Sequence, residues 1–126
     1  MGIKKILTNS HDGIKKDYLP ATDENEYIEV FSCDYPMACI LTAYAGTTGL
    51  RGGDAGHGCR TYLSFKDSGG TCMMIRTDQE AKWRDVSSIE IGFGGDHELG
   101  CVIDALKFMR TILKMQKYQN KEERDE

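Results

Sequence analysis

The chain has no run of apolar residues approaching the eighteen or so needed to cross a bilayer, so a membrane protein is not expected. It has no C-x-x-C pair, and its five cysteines, at positions 33, 39, 59, 72 and 101, are odd in number. A secreted disulfide framework and a zinc ribbon are therefore both disfavoured, and a reducing cytosol is the expected compartment. Most of these cysteines would then be small core hydrophobes. Basic residues are outnumbered, 16 Lys and Arg against 20 Asp and Glu, for a formal net charge of −4. Binding to duplex DNA or RNA neutralises many phosphates at once and does not suit such a chain. A small anion needs only a local patch, for which Arg51, Arg60, Arg76, Lys107 and Arg110 are available. The lysines of Met1-Gly2-Ile3-Lys4-Lys5 are followed by no long apolar region, so no secretion signal is expected.

The 126 residues that are present suit one domain able to bury a core of its own. The most informative stretch is Gly49-Leu50-Arg51-Gly52-Gly53-Asp54-Ala55-Gly56-His57-Gly58-Cys59-Arg60. Glycine adopts positive φ without a Cβ clash, so a run of glycines lets several backbone N–H groups point into one concavity suited to an anion. Guanidinium forks at Arg51 and Arg60 match phosphate oxygens, while Asp54 and His57 could address hydroxyls such as those of a ribose. The same stretch would serve equally as a strained loop with solvated charges. It is not a Walker loop, because no Gly-Lys-Ser/Thr follows and it opens into a strand.

Residues 1–26 are polar and broken, and are expected to form an arm with a short strand or helical turn packed on the core. Tyr27 to Cys33 alternates β-branched and aromatic residues and predicts a strand, interrupted by Pro36 and continued by a second strand from Cys39 to Tyr44. Arg60 to Lys66 alternates with period two, Asp67-Ser68-Gly69-Gly70 reads as a turn, and Thr71 to Ile75 is expected to return as the second strand of a hairpin. Arg76 to Asp85 is mixed and polar, and Ser87 to Phe93 predicts a further strand. Gly94-Gly95-Asp96-His97-Glu98 then predicts a turn, an Asp N-cap and an acidic first helical turn. Leu99, Val102, Ile103, Leu106, Met109 and Leu113 recur at helical spacing. One helix is expected to run to about Tyr118, about 30 Å long, enough to lie across a sheet or dock on a second copy. Residues 119–126 form a polar tail. The expected class is α+β, an antiparallel sheet of five or so strands followed by one long C-terminal helix.

The chemistry-bearing residues weigh towards binding. Asp54, His57 and Cys59 are a conceivable metal set, with Asp96, His97 and Glu98 at another loop end, but neither has the i, i+4 histidine pair or C-x-x-C spacing of a strong metal motif. A His57 and Cys59 nucleophilic pair is disfavoured, because residues two apart on an extended chain are not within hydrogen-bond reach. The strand, glycine turn and helix start at Ile91 to Asp96 offer a second anion cradle, or simply a tight connection. Tyr62, Trp83 and Phe93 are flat faces that could stack on a purine or pack in the core. Lys107, Arg110 and Lys114 share a helix face that is either solvated or borders an anion site on a partner subunit.

The order Gly52-Gly53-Asp54-x-Gly56-His57-Gly58-x-Arg60-Thr61-Tyr62, then Asp67-x-Gly69-Gly70-Thr71, then Ile91-x-Phe93-Gly94-Gly95-Asp96-x-Glu98-Leu99 before a long helix, resembles the phage Thoeris anti-defence proteins of the first type. The resemblance covers about residues 27–118. It implies a small phage-encoded sponge, acting in the cytoplasm of the infected bacterial host. Such a sponge binds glycocyclic ADP-ribose isomers made by bacterial TIR-domain enzymes without cleaving them, and some members also take up cyclic trinucleotides at separate sites. It implies a homo-oligomer, a hexamer assembled from dimers, with pockets at subunit interfaces, no metal and no cofactor. Carried to matching positions, the pocket residues would be Arg51, Gly53, Asp54, His57 and Arg60 with the turn Phe93-Gly94-Gly95. Tyr62, Arg76 and Arg110 join them as candidate aromatic and cationic contacts. The competing expectations are a metal-dependent nucleotide phosphodiesterase using Asp54, His57 and Asp96, and a phage inhibitor that binds a host protein directly.

Overall fold

The computed structural model describes residues 13–20, 27–54 and 56–119; the expectations that fall on the remainder of the arm, on Ala55 and on the tail beyond 119 lie outside the described residues. Among the described residues seven strands precede one helix: β1 (Lys15–Pro20), β2 (Tyr27–Pro36), β3 (Ile40–Thr47), β4 (Arg60–Gly69), β5 (Met74–Thr77), β6 (Glu80–Asp85), β7 (Ser88–Gly94) and α1 (Asp96–Gln116). Five of the strands form one antiparallel sheet in the order β1-β2-β3-β4-β7, and β5 and β6 form a separate two-stranded ribbon. The expected α+β class, a five-stranded antiparallel sheet followed by one long C-terminal helix, is what the chain adopts. Within the arm, β1 is the expected short strand: it pairs with β2 from Lys15 opposite Ser32 to Pro20 opposite Tyr27 and forms one edge of the sheet.

Period-two alternation divides the sheet residues between two faces, Phe31, Leu63 and Ile91 on one, and Ile28 and Val30 with Ser32, Tyr62, Ser64 and Glu90 on the other. Phe31 lies opposite Ala45, Ala45 opposite Leu63 and Leu63 opposite Ile91, giving an apolar row across four strands. Cys33, Ala43, Phe65 and Ile89 make the next row. Residues of these rows, with Tyr35 and with Leu106 from α1, line a cleft of about 340 Å³. The other face is held by hydroxyls. The Ser64 Oγ donates to the Ile89 carbonyl at 2.6 Å, Thr42 Oγ1 donates to Asp34 Oδ1 and lies 2.6 Å from Ser68 Oγ, and the Tyr62 hydroxyl donates to Glu90 at 2.8 Å. Desolvation first, with the Glu90 carboxylate also contributing, raises the Tyr62 phenol above its ordinary range.

Two expectations drawn from the sequence are corrected by the fold. Strand β4 does not turn back on Thr71 to Ile75; it runs on to Gly69 and pairs with β3 and β7. The Asp67 carboxylate accepts N–H groups from Gly69 and Thr71 at 2.9 and 3.0 Å, so the turn signal is real. What it closes is the exit into the ribbon, where Met74 pairs with Asp85 and Thr77 with Glu80. The polar stretch Arg76 to Asp85 therefore holds β6, with Trp83 exposed. The second correction concerns the cysteines: among the described residues only Cys59 is buried, Cys33 and Cys39 are half-buried, and Cys72 and Cys101 are exposed.

The buried apolar core of the described residues is confined to Ile28, Val30, Cys59 and Val102. Helix α1 meets the sheet chiefly at β7. Much of its apolar surface is bare: Ile103 is 58% and Leu113 69% exposed, and Phe108, on another side of the helix, 65%. Bare apolar surface of this extent is characteristic of contact surfaces.

Candidate functional site

The glycine loop bridges β3 and β4, and its base is clamped by reciprocal bonds. The Thr48 N–H donates to the Arg60 carbonyl at 2.9 Å, and the Arg60 N–H donates to Thr48 Oγ1 at 3.0 Å. Gly49, Gly52 and Gly56 take positive φ, as a loop that reverses this tightly requires. Its far end closes on itself, with the N–H groups of His57 and Gly58 both donating to the Asp54 carbonyl.

The concavity of N–H groups expected from the glycines exists, and the chain's own Asp96 carboxylate fills it. The N–H of Gly52 donates to Asp96 Oδ2 at 2.6 Å, that of Gly53 to the same oxygen at 3.2 Å, and that of Cys59 to Oδ1 at 2.9 Å. The Arg51 N–H is shared between both oxygens at 3.1 Å. In return the Asp96 N–H donates to the Gly53 carbonyl at 3.0 Å, and the Gly95 N–H to the Cys59 carbonyl at 2.9 Å. The helix N-cap is Gly95, which makes no side-chain cap bond, and Asp96 is the first helical residue. The expected Asp N-cap is thus displaced by one position, because the loop offers Asp96 four donors in place of its own helix's N–H groups. Glu98 completes the acidic first turn, as expected.

Those backbone donors, Arg51 and Cys59 foremost and then Gly52 and Gly53, hold the Asp96 carboxyl at about 2, below its ordinary 3.8. A carboxyl depressed in the folded state contributes stability above its unfolded value, and that contribution is lost as pH falls through the folded one. The amide resonances of Arg51, Gly52, Gly53 and Cys59 are therefore expected to shift together in an NMR titration with a midpoint near pH 2. A midpoint near the ordinary carboxyl value would contradict this grip on the carboxylate.

Around this lock the predicted site residues separate into two groups. Arg51, Asp54 and His57 project from the loop surface, and Asp54 Oδ1 lies 3.4 Å from His97 Nδ1, an ion pair whenever that imidazole is protonated. The half-buried Arg60 guanidinium donates through Nη1 to the carbonyls of Gly58 and Cys59 at 3.0 and 3.2 Å, and Nη1 reaches the space beside Gly94, the residue opposite Arg60 in the sheet. Phe93 lies next to it, opposite Thr61. The structure thus brings together Arg51, Gly53, Asp54, His57, Arg60 and the Phe93-Gly94-Gly95 turn. His97 and Glu98 belong with them, through the contact of His97 with Asp54 and of the Glu98 carboxylate with the space beside Gly95; the sequence signal for both is their place directly after the glycine turn.

Three expected residues stand apart within one chain. Tyr62 is on the sheet face of Glu90 and Val30, one position out of phase with Phe93, so the two rings cannot clasp one base. Arg76 is on β5, beyond the far end of β4, about 30 Å from the loop at strand rise. Arg110 is about 20 Å along α1 from Asp96. Any part for Arg76 or Arg110 at this site has to come from another copy of the chain. Asp54, His57 and Asp96 do not assemble a metal set: among the described residues no three His, Cys, Asp or Glu side chains converge, and both Asp96 oxygens are engaged by amides. Among the described residues no helix is long and apolar enough to cross a membrane. Comparison with known proteins returned no family model, no curated protein and no solved structure that matches the chain.

Proposed function

We propose that the protein binds and sequesters a cyclic nucleotide signal, a glycocyclic ADP-ribose isomer, and does so as a homo-oligomer whose pockets form where subunits meet. The observation that carries this reading is the loop itself. It is held from within by Asp96, and it presents Arg51, Asp54, His57 and Arg60 beside an aromatic turn, while among the described residues no three metal-ligating side chains converge there. The bare apolar surface of α1 supports assembly, and assembly would bring cations such as Arg110 of one copy towards the loop of another. The likeness of the loop and turn motifs to phage Thoeris anti-defence proteins supports the ligand class and a place in the host cytoplasm.

A sponge must hold its signal below working concentration, which sets nanomolar affinity, about −12 kcal/mol, as the scale. Two phosphates met by guanidinium forks and one stacked ring in a preformed pocket are sufficient contacts. The test is to incubate the full chain with glycocyclic ADP-ribose, ultrafilter it, then denature the retained protein by heat. Signal lost from the filtrate and recovered intact supports sequestration. Signal destroyed indicates an enzyme, and signal left in the filtrate removes the nucleotide reading. Replacing Arg51 and Arg60 by Ala together is expected to weaken capture by about 100-fold or more, since each charged hydrogen-bond donor contributes about 1.5–3 kcal/mol. Titration calorimetry checks this, with circular dichroism as the control because Arg60 also ties two loop carbonyls.

A further inference from the structure

We infer that Asp96 is the positioning residue of the site: its carboxylate is a built-in anion that shapes the loop, so the four amides of Arg51, Gly52, Gly53 and Cys59 are unavailable to the ligand, whose phosphates are met by side chains. The ligand clause rests on the sequestration reading above; the shaping of the loop does not.

The geometry carries it in three steps. First, the donors come from both arms of the loop, Arg51, Gly52 and Gly53 on one side and Cys59 on the other, and they converge on one carboxyl group. A single group that satisfies donors on both arms fixes the separation of the arms. Second, the contact is reciprocal, since the Asp96 N–H returns a bond to the Gly53 carbonyl and the Gly95 N–H one to the Cys59 carbonyl. The start of α1 and the loop therefore form one unit, and Arg51, Asp54 and Arg60 are carried on it. Third, convergent backbone N–H groups of this kind are what glycine-rich loops elsewhere offer to phosphate. In this chain the charge they select is already present and covalently attached, so an incoming anion would have to displace it.

Two variants test this, read by amide hydrogen exchange and by capture of glycocyclic ADP-ribose. In Asp96→Asn one acceptor oxygen becomes a donor facing N–H groups. Exchange at residues 51, 52, 53 and 59 is expected to rise at least tenfold while amides of β3 keep their rates, and capture is expected to weaken at least tenfold. Asp96→Ala removes the carboxylate and leaves room for formate. Added formate is expected to restore both protection at those four amides and affinity for the signal, whereas chloride at equal ionic strength restores neither. Wild-type protection in Asp96→Asn, or protection in Asp96→Ala that formate does not change, overturns the lock. Protection lost and restored while affinity stays constant overturns the positioning role. Failure of the wild-type chain to capture the signal removes the function proposed above and leaves the exchange result to stand by itself.

Discussion

Replacing Gly58 by Ala is expected to lower the thermal midpoint by about 10 °C or more and to abolish capture of the signal. Gly58 is buried, and a Cβ there would land on the Gly53 carbonyl oxygen and against the Asp96 amide nitrogen. Both obstacles are backbone, so no side-chain rotation relieves them. They are also the two partners of the bond that joins the loop to α1. Overpacking of this kind costs about 1–3 kcal/mol, and the loop bonds lost with it add about 1 kcal/mol each. For a chain of this size each kcal/mol moves the midpoint by several degrees. Gly100 provides the matching control. It lies within α1, and a Cβ there would meet nothing within 4 Å. Gly100→Ala is therefore expected to raise the midpoint slightly, by up to about 1 kcal/mol in helix propensity. A differential scanning experiment in which the two substitutions behave alike would contradict the close backbone approach at Gly58.

The second large effect concerns assembly. Glutamate at both Leu106 and Leu113 is expected to convert the proposed oligomer into monomers, seen by light scattering coupled to size exclusion. Leu106 is 41% and Leu113 69% exposed in the single chain, and both lie on the same side of α1 as Met109. Burying a leucine side chain contributes about 1.5–3 kcal/mol. An unpaired carboxylate in the same interface is costlier still. Introduced on every copy, the pair should raise the dissociation constant by a factor on the order of a thousand or more. Because the pockets are proposed to lie between subunits, capture should fall in parallel. A wild-type chain that is monomeric at micromolar concentration, or a double variant that stays assembled, would remove this part of the proposal.

The strength of these two effects bears on which parts of the molecule were legible in its sequence. The strands and the helix were, because alternation in β4 and the 3.6-residue period from Leu99 to Leu113 are local signals. The partner of β4 was not. Asp67-Ser68-Gly69-Gly70 is a sound turn signal, but a turn states where the chain bends and not which strand it returns to. The short, polar β6 offered no pattern, since none of its residues is buried. At the site, the glycines correctly announced a loop of convergent amides. That the loop and Asp96 fit each other was hidden, because they lie about forty positions apart and each had a sufficient local explanation: an anion cradle for one, a helix cap for the other. The cysteines misled through composition, since a small apolar side chain is usually buried only where there is a core to bury it.

The ribbon has a further consequence. Lys66 and Ser88 face each other in the sheet, and the Asp67 N–H donates to the Ser87 carbonyl at 2.7 Å. The chain thus leaves the sheet after Gly69 and re-enters it close by at Ser88, and the segment between, 70–87, is an excursion between the neighbouring strands β4 and β7. The entropy of closing such an excursion grows only with the logarithm of its length. Its span can therefore lengthen or shorten while the loop, the helix start and the strands that carry them keep their places, which makes it the molecule's natural point of divergence and a suitable one at which to attach a label or a foreign domain.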